Sequence, residues 1–399
     1  MKNRIVVKYS LLAGLFLALL SGTSFFLATR SAALAAGVFL SVLIAALPIP
    51  LLLAAPIVMR RSLRRAREAN ITIVNEKALM LLAEVDTIVT VKNGVITEGA
   101  PYIAEIVPEG TSQSALLALA ASAERTALHP VGRVLYETAL ARRCRLQAAS
   151  ALSEMPGKGA EALISRTPVR VGHADWLIEE GVPISGALLA RGDKMADAGL
   201  IPVFVSYGRN CRGIIALADD IPSEAAPSLH RLQRQGLSIQ MLTGETARVT
   251  AAIKKQLGLN GARPNLSPSE KAREVQLLRT HGHTIAMMGA GTRDDAALRE
   301  ADVRILLVRE DVQEEETQAH DIRIERGRIG DLLPLFAIAR KAAMLTRANR
   351  LIAISSWALL VLIATGLFHP LGSPLLPPTI ALLALFLVSL LIVMNSLRA

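Results

Sequence analysis

Two glycine-bearing turns, Thr243-Gly244-Glu245 and Gly289-Ala290-Gly291, are the first candidates for chemistry in this chain. Each follows a short apolar run, Ser238 to Leu242 and Thr284 to Met288, and each precedes a helical pattern. In a parallel sheet such turns lie at the carboxyl ends of strands, where ligands bind. Glycine there also answers to backbone geometry alone, so the turns mark a position and not yet a reaction. A second candidate is apolar. Pro48, Pro50 and Pro56 interrupt a long hydrophobic segment, and each removes a backbone donor and clashes with the preceding turn. The helix is therefore expected to unwind or kink near residues 46 to 51. Carbonyls exposed at such a break can hold a transported ion; a kink that serves packing is the alternative. No Asp, Glu, Cys or Lys lies in any apolar segment, and the one histidine, His369, lies at an end. That leaves an ion without a side-chain ligand. Cys144 and Cys211 cannot form a disulfide framework or a four-thiolate metal site, so no structural metal is expected.

The elements that must position these residues fall into two kinds. The 399 residues are 52% hydrophobic and 20% charged, too apolar for an ordinary soluble enzyme and too charged for a purely membrane-embedded chain. Leu11 to Thr29, Ala32 to Met59, Leu351 to Phe368 and Leu375 to Met394 are uncharged apolar runs, each matching the ~20 helical residues that cross a bilayer core. The first is too long for a cleaved signal segment and is followed at once by a second. The net charge of +10 localises beside these runs: 14 of the 44 basic residues lie in 1–70 and 340–399, against the single acid Glu68. The middle then holds 30 bases and 33 acids, which argues against a nucleic-acid partner. Arg60, Arg61, Arg64, Arg65 and Arg67 after the second run, and Arg340 to Arg350 before the third, place the middle and both termini on the cytoplasmic side. In that middle, Val85 to Val91, Pro202 to Tyr207, Gly213 to Leu217, Ser238 to Leu242, Thr284 to Met288 and Val303 to Val308 read as strands. Helical patterns at Ala225 to Gln235, Ala247 to Leu257 and Glu270 to Arg279 separate the later ones, which argues for a doubly wound parallel sheet.

In order, these pieces resemble the C-terminal half of a heavy-metal (copper, zinc or cadmium type) P-type ATPase. Leu47-Pro48-Ile49, closing on Ala55-Pro56, has the spacing of that family's Cys-Pro-Cys segment. Asp86 to Gly99 matches its phosphorylation loop DTVVFDKTGTLTEG. His129-Pro130, Pro156-Gly157-Lys158-Gly159 and Gly172 match the nucleotide-binding domain. Thr243-Gly244-Glu245, Lys271 after Pro268, Gly289 to Asp294 and the closing Asn395-Ser396-Leu397-Arg398 match the remainder. The resemblance implies four membrane spans, a haloacid-dehalogenase-like, Rossmann-like phosphorylation-type domain in two parts (69–103 and 218–340) and an inserted α+β nucleotide-binding-type domain (104–217). The flanking hairpins are residues 1–68 and 341–399. No actuator domain is expected.

The departures shape the functional expectation. The family's phosphorylated aspartate falls on Val91 and its magnesium-binding aspartate on Ala290; neither side chain offers an oxygen. The ligating cysteines fall on Leu47 and Ile49, and the Tyr-Asn pair of the next span on Ser356-Trp357. Lys92, Thr243, Gly244, Lys271 and Asp294 persist, either as a pocket that still accepts phosphate or as turn and sheet supports. His129, Pro130, Gly157, Gly159 and Gly172 imply ATP or ADP as ligand, without magnesium, or else persist because the domain fold needs them. The expectation is a protein that does not turn over ATP, a pseudo-pump in the inner membrane. Its implied partners are lipid and an intact pump, a separate actuator-domain subunit or another membrane complex. The alternative is one part of a split ATP-driven metal transporter, which would need Asp86, five residues before Val91, to accept the phosphate.

Overall fold

The structure, a computed structural model, describes residues 2–126, 130–155, 158–308 and 319–399. His129 and Gly157 lie outside these described residues. The chain forms two compact units, Met1–Ala69 with Pro334–Ala399, and Asn70–Leu333.

The first hairpin of the membrane unit comprises α1 (Lys2–Thr29) and a segmented second span: α2 (Ala32–Ala45), α3 (Ile49–Leu53) and α4 (Pro56–Glu68). Ser31 caps α2 by accepting the Leu34 amide. The break at Ala46 to Pro48 falls where the prolines predict it, because neither Pro48 nor Pro50 can donate to the turn before it.

The central unit opens with β1 (Ile71–Ile73), α5 (Glu76–Leu82) and β2 (Thr87–Val91). All five residues of β2 are β-branched and buried, the composition of a strand covered on both faces. The insert follows: β3 (Tyr102–Pro108), α6 (Gln113–Ala123), α7 (Pro130–Ala141), β4 (Ala149–Met155), β5 (Gly159–Ile164), β6 (Thr167–Gly172), α8 (Ala174–Glu179), α9 (Gly186–Asp197), β7 (Ile201–Tyr207) and β8 (Asn210–Ala218). Its strands make an antiparallel sheet in the order β3-β8-β7-β6-β5-β4. Leu116, Leu117 and Leu135 of α6 and α7 pack with Val203, Val205 and Ile215 on one face. Trp176, Leu188 and Met195 of α8 and α9 pack with Phe204 and Ile214 on the other. The alternation of Val203, Phe204 and Val205 between the two cores follows from the two-residue period of a strand.

The chain then returns to the first sheet through α10 (Ala225–Arg234), β9 (Ser238–Leu242), α11 (Ala247–Leu257), β10 (Gly261–Arg263), α12 (Pro268–Thr280), β11 (Ile285–Gly289), α13 (Asp295–Glu300), β12 (Val303–Leu307) and β13 (Ile322–Ile324). The order is β1-β13-β12-β11-β2-β9-β10, parallel except for the β1 edge. A capping box between Ser267 and Glu270 starts α12, and Gly258 in the left-handed region ends α11. The fold is the doubly wound α/β domain that the strand spacing predicts, with the α+β insert that the resemblance implies.

The second hairpin of the membrane unit is α14 (Leu332–Ala364) and α15 (Pro378–Ser396). α14 begins before the predicted span because the basic stretch at 340–350 continues the helix without a break. Four helices in the described residues are long and apolar enough to cross a membrane. Asn349, fully buried, donates to Ser396 Oγ at 2.8 Å and accepts from Asn395 at 2.7 Å, a polar tie between α14 and α15.

Candidate functional site

β2 is flanked by β9 and β11, with Val91 beside Leu242 and Thr90 beside Met288. The turns after these three strands therefore converge at one edge of the sheet. They bring together Val91, Lys92, Thr243, Gly244, Glu245, Ala290 and Asp294 from segments remote in sequence, and Lys271 reaches in from α12.

The charged groups in this cluster are bound to one another. Lys92, almost fully buried, donates from Nζ to Glu245 Oε1 at 2.6 Å. Lys271 Nζ lies 3.4 Å from Asp294 Oδ1, and the other Asp294 oxygen accepts the Ala290 amide at 3.2 Å. Thr243 Oγ1 accepts the Glu245 amide at 3.2 Å, and a side chain on Gly244 would press on the Leu266 carbonyl. The loop after β2 passes so close to β11 that a Cβ on Gly94 would stand 2.8 Å from that of Ala290, and Gly94 has φ +71°. Two cations and two carboxylates balance, and each surviving polar group has an internal partner. This arrangement supports turns and sheet directly, and the charge of each lysine is already met by a carboxylate.

One buried carboxylate here escapes sequence reasoning. Asp219, just past β8 where the chain leaves the insert, accepts the Thr97 hydroxyl at 2.5 Å and the Gly99 amide at 3.0 Å. Burial pushes its carboxyl above the ordinary range against the pull of Thr97, the Lys92 charge and the Gly99 and Ala100 amides. Its signal was the acid pair Asp219-Asp220 ending an apolar strand. Glu245 was visible only as the last residue of the Thr243-Gly244-Glu245 turn, with nothing local to mark it as the partner of Lys92. Asp86 stands at the opposite end of β2, bonded to Thr87, His283 and the Thr284 amide. With ~3.3 Å per strand residue, that is too far from the turns to replace a carboxylate at position 91.

In the insert, Gly159 pairs with Gly172 across β5 and β6. A Cβ on Gly159 would stand 2.1 Å from the Val171 carbonyl and 2.9 Å from the Trp176 ring; on Gly172 it would stand 2.3 Å from the Lys158 carbonyl. Both glycines are thus required by strand and indole packing, whatever else they contact. Pro130 occupies the first position of α7, where its missing amide costs nothing.

The break in the membrane helix is also internally satisfied. Pro48 leaves the Ile44 carbonyl without its helical donor, and the Leu47 amide supplies one at 3.1 Å. Pro50 does the same to Ala46, whose carbonyl accepts the indole N–H of Trp357 at 3.0 Å. Leu47 and Ile49 flank this junction and bring no polar atom to it from their side chains. Trp357→Phe, which keeps the ring and removes the donor, is expected to cost the membrane unit about 1–2 kcal/mol. Unfolding of the two proteins in mixed micelles measures this; equal stability would mean that the indole bond holds nothing.

Residues 85–302 match the haloacid dehalogenase-like hydrolase family. The chain is 30% identical to a probable copper-exporting P-type ATPase V of Mycobacterium tuberculosis, over 96% of this chain and 49% of that protein. It is also 30% identical to a silver exporting P-type ATPase of Salmonella typhimurium, over 90% of this chain and 43% of that one. Among solved structures, a zinc-transporting PIB-type ATPase in an E2.Pi state superposes with a TM-score of 0.70 at 26% identity, covering 97% of this chain and 62% of that chain. The chain spans about half the length of the curated relatives it matches.

Proposed function

Because the chain belongs to the haloacid dehalogenase-like hydrolase family and is homologous to heavy-metal P-type ATPases, we propose that it is a catalytically silent member of that lineage. On this reading it is a multi-pass membrane protein retained for binding or regulation. The observation that carries the reading is the pair Val91 and Ala290 at the converging strand ends. Phosphoryl transfer through an aspartyl phosphate requires a carboxylate nucleophile and a hard-cation site, and these two positions offer neither. The internal pairing of Lys92 and Lys271 adds to it, since lysines bound to Glu245 and Asp294 are not poised for an incoming phosphate.

ATP or ADP is the ligand we assign to the insert, beside Pro130, Gly159 and Gly172, with no role for magnesium. The basic residues Arg60, Arg64, Arg67 and Arg340 to Arg350 support a cytoplasmic central unit with both termini on the same side. The partner on this reading is another membrane protein: an intact pump, an actuator-domain subunit or another membrane complex. A split transporter carrying its phosphate on Asp86 is disfavoured by the placement of that residue at the far end of β2, tied to His283.

Incubating the purified chain with radiolabelled ATP, quenching in acid and counting the precipitate tests the proposal. No label is expected, with or without copper or zinc. A hydroxylamine-sensitive phosphoprotein would overturn it.

A further inference from the structure

We propose that the insert carries a second ligand site, a cavity built around Arg145 and Arg212 that takes a small phosphate ester. The cavity measures about 840 Å³, and no carboxylate lines it. Arg145 follows α7 and Arg212 lies on β8; neither makes an ion pair with any described residue. Thr111, Ser114, Gln147 and Tyr207 also line the space, and their side-chain polar groups have no hydrogen-bond partner among the described residues. Ser112 is not counted, because its hydroxyl already accepts the Ala115 amide at 3.1 Å.

This contrasts with the cluster at the strand ends, where each lysine is bound to an acid. Uncompensated guanidiniums sharing a cavity with several free donors make a site for an anion, and their forked N–H groups match phosphate oxygens best. Gly110, whose φ of +64° favours glycine, borders Arg212 Nη1 at the rim of the cavity. Ala115, Ala118 and Leu119 give the cavity an apolar wall for the uncharged part of such a ligand.

The cavity is separate from the paired glycines of β5 and β6. Tyr207 pairs with Val169, whereas Gly172 pairs with Phe204, three residues or ~10 Å along the strands. The site is thus distinct from one beside Gly159 and Gly172.

Titrating inorganic pyrophosphate into the detergent-purified full chain at low salt, followed by phosphorus NMR line broadening, tests the assignment. Binding is expected for the unaltered chain, weakened by added salt. The double variant Arg145→Gln/Arg212→Gln is expected to bind roughly tenfold more weakly or worse. Arg145→Lys/Arg212→Lys should fall between, because charge is kept and the fork is lost. Absence of binding to the unaltered chain, or equal binding by the Gln variant, overturns the proposal.

Discussion

Lys92→Met is expected to destabilise the central unit by about 3–5 kcal/mol, the cost of leaving a buried carboxylate without its partner. By the resemblance this lysine follows the position of the family's phosphorylated residue, and its loss would then be read as a loss of activity. Here its ammonium is almost fully buried and bound to Glu245, so the loss is one of stability. The Asp219 carboxyl, already pushed up by burial, would also lose the Lys92 charge that opposes the shift. The deficit should therefore be fully expressed at neutral pH. It should shrink in acid, where the Asp219 carboxyl takes up a proton and no longer needs the missing cation. Replacing Glu245 as well, in Lys92→Met/Glu245→Met, removes the stranded charge and is expected to recover most of the loss. Urea denaturation followed by Trp176 fluorescence measures all three proteins, with Trp357→Phe as the common background so that one of the two tryptophans reports. A Lys92→Met cost below about 1 kcal/mol would mean that the pair is a surface-like contact and that the lysine is free for another ligand.

The pairing of Lys92 with Glu245 also marks where sequence reasoning stops. The strands were legible because their signal is local. Thr87 to Val91 is β-branched throughout, and Ser238 to Leu242 lies between helical patterns ending and beginning on glycine or proline turns. The spans and the break near Pro48 were legible for the same reason, since a proline's missing amide needs no tertiary context. What the surviving polar residues do was not legible. Lys92 and Glu245 are 153 positions apart, and Lys271 and Asp294 are 23; only the folded sheet brings them within reach. The paired glycines were similarly ambiguous, because a Gly-rich loop reads the same whether it clears space for a nucleotide or for the Trp176 ring. The destination of the carbonyl freed by Pro50 was hidden too, its donor lying 311 residues away in Trp357.

Val91→Asp is expected to be about as damaging as loss of Lys92, by about 3–5 kcal/mol, because it buries a carboxylate where both neighbouring lysines are already bound. Adding Ala290→Asp in the absence of divalent cations should make matters worse than the sum of the two changes. The positions are one residue out of step on adjacent strands ~4.8 Å apart, and like charges at that distance repel strongly when desolvated. Magnesium reverses the sign of that coupling, since two carboxylates on one side of a hard cation are ligands rather than rivals. The double variant should therefore melt at a higher temperature in magnesium than in a chelator, while the unaltered chain, with no oxygen at either position, melts alike in both. A magnesium-dependent melt of the unaltered chain would show that Asp294 or Glu245 already serves a cation, and the catalytically silent reading would fall with it. Indifference of the double variant would mean that Lys92 and Lys271 exchange Glu245 and Asp294 for the new carboxylates, so that ion pairing within the protein, and not a metal, satisfies them.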